Sequence, residues 1–386
     1  MRRICSLSRS IVNGVNNNNN KRCSPRLFST ATNNENESGA AVTVTQHASS
    51  NHDFYRNTRH HIHSSKESME LVDSLLLGTS EMMNPHAANV VAYSGGVDSS
   101  LVAALVHRVF SDYNNIISSC NSDSDKRGSV QAILGISNAV PQTQIDVARK
   151  VADSIGIQLI EVPTAEGSDE AYIRNDGHAC FVCKTHLYST LNAVAEAFQE
   201  QHINNHDDNQ QQVILYNGTN ADDTQDPTRL GLKAASNFSV KSPLSKISKD
   251  QVRQAAKYLG LSNWNAAASP CLRSRLAMGV MATEEHLRAV EFAEAFVREV
   301  LGLDETINAR VRMLAGGKAM VELDSSIIES ADDLTLLTTK LNERGFSDKC
   351  INDWGFKEFG GVRGFKTGSV AAMPTDQNAS LASATM

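Results

Sequence analysis

The sequence predicts an α/β protein, with a parallel sheet covered by helices and a smaller α+β portion after it. Three observations carry this expectation. Short β-branched runs alternate with stretches of helical period, a Gly-Gly turn separates the first run from its helix, and two strand-like runs near the carboxyl end flank a second Gly-Gly pair. Residues 68–77 place apolar side chains at helical spacing, and residues 89–93 form a short apolar run that ends in the turn. A helix over 99–110, a strand over 130–136, a helix over 142–155, a strand over 158–162, a helix over 185–198 and a strand over 213–217 follow. Parallel strands need crossovers of this kind, and ligands bind beyond the carboxyl ends of such strands. The turns after Tyr93, Ile136 and Asn217 are therefore where chemistry is expected.

Residues 114–129 and 199–212 are polar and of low complexity, and read as surface insertions. Helices over 248–260 and 283–301, then paired strands over 309–313 and 318–323 around Gly316-Gly317, make up the second portion. The expected plan is a leader and linker over 1–64, a sheet domain over 65–265, a second domain over 266–363 and a disordered tail over 364–386.

A chain of 386 residues with 41% hydrophobic side chains can bury two moderate cores. Its net charge of −7 argues against broad electrostatic attachment to nucleic acid. No run reaches the roughly 18 apolar residues of a membrane span. The seven cysteines are odd in number and scattered, which does not suit a secreted disulfide framework. Arg2, Arg3, Arg9, Lys21, Arg22 and Arg26 all precede the first acid, Glu35, in a Ser- and Asn-rich stretch. That bias is the mark of an organelle transit peptide, so a mitochondrial matrix address is expected, with plastid and cytoplasm as the alternatives.

The most specific signal is the run Ser94, Gly95, Gly96, Val97, Asp98, Ser99 and Ser100, between a strand and its helix. Free backbone N–H groups and the positive helix end make an anion site there. Glycines allow close approach of a pyrophosphate, serines add hydroxyl donors, and Asp98 would hold Mg²⁺ or orient the loop. The run has neither the lysine of a Walker A loop nor the spacing of a dinucleotide fingerprint. It resembles the SGGxDS signature of the PP-loop superfamily, whose members have a Rossmann-like (adenine nucleotide alpha hydrolase-like) domain and cleave ATP to AMP and pyrophosphate.

Within that superfamily, three further stretches resemble the LarE sulfur transferases. Asn217-Gly218-Thr219-Asn220-Ala221-Asp222-Asp223, followed by Arg229, offers acids for Mg²⁺ at Asp223 and an arginine for phosphate. Similar GTNxDD runs occur in NAD and GMP synthetases, and an amidating synthetase and a tRNA thiolation enzyme are the competing readings. Pro270-Cys271-Leu272-Arg273-Ser274-Arg275 is similar to the family's PCLxSR segment, in which the cysteine bears the sulfur. Arg273 and Arg275 would lower the pKa of such a thiol and collect an anion. Arg310 and Arg312 resemble the family's phosphate clamp, and Glu294 and Glu322 its acidic residues near the sulfur site.

The resemblance implies ATP and Mg²⁺ as cofactors and a small nucleotide-like carboxylate as substrate. Further copies of the chain are the expected protein partner, with no stable nucleic acid and no membrane. Cys180 and Cys183 stand two residues apart, and with Cys271 they total three thiols. Three thiolates suit a [4Fe–4S] cluster with one open iron, the alternatives being zinc completed by His178 or His186, a redox pair, or unrelated thiols. Cys271 is correspondingly either a consumed sulfur donor or a cluster ligand.

Overall fold

The computed structural model describes residues 43–45, 66–119, 128–202, 213–225, 230–324, 326–328 and 330–365. The basic leader, Arg229 and the segment beyond 365 lie outside the described residues. In chain order the main elements are β1 (Thr43–Thr45), α1 (Lys66–Met82), β2 (Ala88–Tyr93), α2 (Val97–Ser119), β3 (Ser129–Ile136), α3 (Gln142–Ile155) and β4 (Gln158–Pro163). Then come α4 (Glu170–Ile173), α5 (Ala179–His202), β5 (Val213–Tyr216), α6 (Ala221–Thr224), α7 (Leu230–Asn237) and α8 (Lys249–Tyr258). The last group is α9 (Glu284–Leu301), β6 (Ala309–Leu314), β7 (Lys318–Leu323), α10 (Ala331–Glu343), the single turn α11 (Phe346–Asp348) and β8 (Glu358–Gly364).

The first sheet has the order β1-β4-β3-β2-β5, with β2 to β5 parallel and β1 antiparallel on β4. The α/β expectation is thus borne out, Rossmann-like sheet included. Strand β2 is central and its Val90 and Val91 are wholly buried, because a parallel strand covered on both faces needs a continuous apolar run. On one face α2 buries Leu101, Val102 and Leu105, and α3 buries Ile145, Ala148, Val151, Ala152 and Ile155 at helical spacing. Each large side chain so buried contributes about 1.5–3 kcal/mol. Helices α5 and α7 cover the other face through Tyr188, Leu191, Ala195 and Ala234. Chain order reverses at β2, between β3 and β5, so the loops after β2 and β5 face one another across the switch point.

The second sheet is small and mixed, with the order β6-β7-β8; β6 and β7 form an antiparallel hairpin and β8 runs parallel to β7. Gly316 and Gly317 at the hairpin turn take φ of 78° and 80°, a region that favours glycine. Helix α9 packs on this sheet through Leu287, Val290, Ala293 and Val297. Four departures from the sequence expectation are clear. Thr43–Thr45, within the expected linker, adds β1 to the sheet edge. Helix α2 continues to Ser119 into the first expected insertion, α5 continues to His202 into the second, and α5 starts at Ala179, so both thiols of the CxxC pair lie on its first turns.

Candidate active site

The turn after β2 delivers the chain into α2 through Gly95, whose φ is 71°. A Cβ on Gly95 would lie 2.5 Å from that of Ala148, so α3 fixes the loop from below. On Gly96 a Cβ would meet only Ser94 Oγ, at 3.5 Å, which leaves the approach open. Ser99 Oγ accepts from the Ser94 N–H at 3.2 Å, donates to the Gly96 carbonyl at 3.0 Å and lies 3.1 Å from Ser94 Oγ. Asn263 Nδ2 donates to the Gly95 carbonyl at 2.8 Å and to Ser100 Oγ at 3.0 Å, and Gln144 Nε2 donates to the Ser94 carbonyl at 2.7 Å. The loop's carbonyls are thus tied back into protein. The first N–H groups of α2, which no helix can satisfy internally, point the other way as an anion cradle.

Asp98 heads α2 and is gripped from the facing loop. Asn220 Nδ2 donates to Asp98 Oδ1 at 3.0 Å, and Lys249 Nζ forms an ion pair with Asp98 Oδ2. Asn220 also caps α6 in a reciprocal pair with Asp223. Gly218 lies against this junction, since a Cβ there would fall 2.8 Å from the Asp98 carbonyl carbon and the Ser99 nitrogen. Among the sequence-predicted residues, Asp98, Gly218, Thr219, Asn220 and Asp223 therefore converge with the phosphate loop. Asp98 is engaged as a brace for the loop.

Cys271 opens a short 3₁₀ turn over Leu272–Arg275. The Leu272 N–H donates to the Ala139 carbonyl at 2.8 Å, and the Ala277 N–H to the Met313 carbonyl at 2.9 Å, so the turn is pinned between the β3 loop and β6. Arg275 is 3% exposed; it donates to Glu294 Oε1 and Oε2 at 2.9 and 3.3 Å and to the carbonyls of Cys271 and Pro270. Glu294 also accepts the Val311 N–H at 3.1 Å. Arg312 is wholly buried, paired with Glu322 at 2.8 Å and donating to the Ser274 carbonyl at 2.9 Å. Glu322 in turn accepts from Arg363 at 2.7 Å.

Arg275, Arg312, Glu294 and Glu322 thus lie in internal ion pairs. Arg310 stacks on Phe365 at 4.4 Å, and burial with Arg275 and Arg312 nearby lowers its pKa to about 10.

Arg273 differs from these. Buried at 3% exposure, it donates to Asn175 Oδ1 at 2.7 Å and to Cys180 Sγ at 2.8 Å, with Cys271, Cys183 and Tyr172 acting on it electrostatically. The structure therefore brings the CxxC pair and Cys271 around one guanidinium. Cys183 is hydrogen-bonded weakly to Glu166 Oε1 at 3.9 Å, and burial pushes its thiol up to about 12. Among the described residues no group of three or more His, Cys, Asp or Glu side chains is gathered as around a metal. With one thiol engaged by Arg273 and another by Glu166, the three sulfurs do not fit a cluster as arranged here. His186 is paired with Asp169 at 3.1 Å, and His178 lies beside Asp176 on the surface, so neither completes a zinc set.

Sequence reasoning missed Lys249, Asn263, Asn175, Tyr172 and Glu166. Each reaches its place from far along the chain or from an unremarkable helix, and no local motif marks it.

A parallel sheet with the Ser94–Ser100 loop at its switch point places this protein in the PP-loop class. No established family profile matches the chain. It is 32% identical over 213 residues to an uncharacterized protein of Synechocystis sp., covering 55% of this chain and 69% of that protein. It is also 28% identical over 212 residues to pyridinium-3,5-bisthiocarboxylic acid mononucleotide synthase of Lactiplantibacillus plantarum, covering 54% of this chain and 67% of that enzyme. These matches relate the chain to the LarE family.

Proposed function

We propose that this protein is an ATP-dependent sulfur transferase that activates the carboxylate of a nucleotide-like substrate as its adenylate and delivers sulfur from Cys271. The observation that carries this reading is the Leu272–Ala139 hydrogen bond, which seats the cysteine at the carboxyl edge of the sheet whose next strand leads into the phosphate loop. The similarity to a synthase of a pyridinium bisthiocarboxylic acid mononucleotide supports a pyridinium carboxylate mononucleotide as substrate.

In this scheme the α2 N-terminus and the exposed Ser94 hydroxyl orient the nucleotide phosphates, while the buried Ser99 and Ser100 hydroxyls and the Asp98–Lys249–Asn220 contact keep the loop in shape. Among the described residues no set of three or more acids is gathered there, so Mg²⁺ would enter with the nucleotide, and it would neutralise the pyrophosphate leaving group. The substrate carboxylate attacks the α-phosphorus and pyrophosphate leaves. The Cys271 thiol then attacks the acyl carbon, a C–S bond forms, the C–O bond to AMP breaks, and the thiol proton and the bonding pair leave with AMP. Elimination across Cα–Cβ of Cys271 releases the thiocarboxylate and leaves dehydroalanine. A resident cluster plays no part in this scheme. A matrix address follows from the basic leader on the same footing.

The test uses ATP, Mg²⁺ and the pyridinium dicarboxylate mononucleotide, with product analysis and intact mass. AMP and pyrophosphate should appear, Cys271 should lose the elements of H₂S, and Cys271→Ala should adenylate without thiolating. Release of ADP and orthophosphate, or full thiolation by Cys271→Ala, would overturn the reading.

A further inference from the structure

A cavity of about 580 Å³ opens at the carboxyl ends of β3 and β4, bounded by the loops 137–141 and 164–168 and by the start of α9. Two polar side chains on its wall are unusual. Tyr172, 2% exposed, and Glu166, 3% exposed, each hold a buried atom with no hydrogen-bond partner among the described residues: the Tyr172 hydroxyl and Glu166 Oε2. A buried hydroxyl or carboxylate oxygen left without a partner is costly, so two on one wall mark a place where a ligand completes the bonding. The cavity is linked to the cysteine turn through one backbone contact. Ala139, on its rim, is the residue whose carbonyl holds Leu272, next to Cys271. Cys271, Cys183, Arg273 and Glu166 are the charged and titratable groups that act on the Tyr172 hydroxyl.

Resting on the sulfur-transfer reading above, we propose that this cavity receives the activated acyl group and that Tyr172 is a catalytic residue, donating its hydroxyl hydrogen bond to the acyl oxygen as Cys271 attacks. The carbonyl oxygen gains negative charge when the C–S bond forms and loses it when AMP departs, so a fixed donor binds the intermediate more tightly than the ground state. Burial, with Cys271 and Cys183 adding to it, holds the Tyr172 hydroxyl well above its ordinary pKa, so it stays a donor throughout the physiological range. Glu166 Oε2 is the neighbouring acceptor for an N–H or O–H of the ligand. The step needs no proton from Tyr172, since the thiol proton leaves with AMP.

The test is Tyr172→Phe in the full chain, with ATP, Mg²⁺ and the pyridinium dicarboxylate mononucleotide. Substrate-dependent pyrophosphate exchange should be unchanged, while single-turnover acyl transfer to Cys271 should slow by about 10²- to 10³-fold, as for other oxyanion donors. The urea midpoint of the free variant should match or exceed that of the native chain, because the phenol oxygen has no partner to lose. An unchanged acyl-transfer rate, or a fall in exchange parallel to that in transfer, would overturn the assignment. A lower midpoint would do the same by showing that the hydroxyl has a structural partner. Absence of exchange in the native chain would instead count against the sulfur-transfer reading itself, and the midpoint comparison would still decide whether the hydroxyl is orphaned.

Discussion

Glu322→Gln tests whether the charged residues of the second sheet brace the cysteine turn or serve the ligand. Glu322 and Arg312 have side chains 1% and 0% exposed, and Arg363, at 15%, closes the triad from β8. Glu322 Oε2 accepts from Arg312 Nε at 2.8 Å, and Oε1 accepts from Arg363 Nε and Nη2 at 3.1 and 2.7 Å. Glutamine keeps the shape and one acceptor but removes the carboxylate charge paired with Arg312. Stranding a buried cation this way costs about 3–5 kcal/mol, a large part of the roughly 5–15 kcal/mol that stabilises a folded protein. At about 2–4 °C per kcal/mol for a fold of this size, the melting temperature should fall by on the order of 10 °C. Urea denaturation followed by the fluorescence of Trp354, which packs on Phe346 and Phe296 of the same core, measures the loss. In protein that remains folded, nucleotide affinity should be unchanged. A loss below about 1 kcal/mol, or a drop in nucleotide or phosphate affinity without a loss of stability, would refute the bracing argument and give Arg312 an anion-binding role.

Gly218→Ala should weaken nucleotide binding and destabilise the chain by about 1–3 kcal/mol, because the new Cβ meets the backbone of Asp98 and Ser99 at 2.8 Å and must push the two loops apart. Gly78→Ala, in α1 with nothing within 4 Å, is the control and should be neutral or stabilising. In native protein at pH 8, iodoacetamide should label the exposed Cys180 while sparing Cys183 and Cys350. Burial raises both spared thiols to about 12, so their thiolate fraction is about 10³-fold below that of an ordinary cysteine and recovers only as pH rises toward 12. Peptide mapping that found Cys183 labelled as fast as Cys180 would show the first turns of α5 to be far more open than described.

The sheet was legible because its strands are apolar on both faces and its helices are not, and that contrast survives without knowledge of partners. The phosphate loop was legible because its geometry is local: glycines and serines between a strand and a helix can do few other things. The end of α2 was not legible, since Asn114, Asn115 and the serines near 118 have loop composition yet continue a helix whose other residues are anchored. Strand β8 was missed for a similar reason. Its Gly360 and Gly361 disfavour a strand, and pairing with β7 and the burial of Val362 hold it. The arginines are a different case. Register places Arg310 opposite Glu322 and Arg312 opposite Met320, so Arg312 reaches Glu322 as a diagonal neighbour across the hairpin. Spacing along one strand shows the alternation of Arg310 and Arg312 but not whether that face is covered.

Why so many arginines surround one cysteine follows from the backbone of its turn. Irregular chain around 266–282 has carbonyls that no helix or sheet can satisfy, and in a buried position each must find a donor. Pro270, at the start of the turn, has no N–H of its own and cannot help pair the segment. The carbonyls of Pro270 and Cys271 take donors from Arg275, and that of Ser274 from Arg312. Lysine would not serve, because a single ammonium cannot reach two carbonyls and both oxygens of Glu294 from one position, whereas the planar guanidinium fork does. Of the arginines flanking Cys271 in sequence and in space, Arg275 and Arg312 are therefore committed to holding the turn rigid, while Arg273, together with Lys184, faces the thiols. On the proposed reading Cys271 is the nucleophile of an acyl transfer, and a rigid turn keeps it in place, since misplacement by about 1 Å costs on the order of 10² in rate.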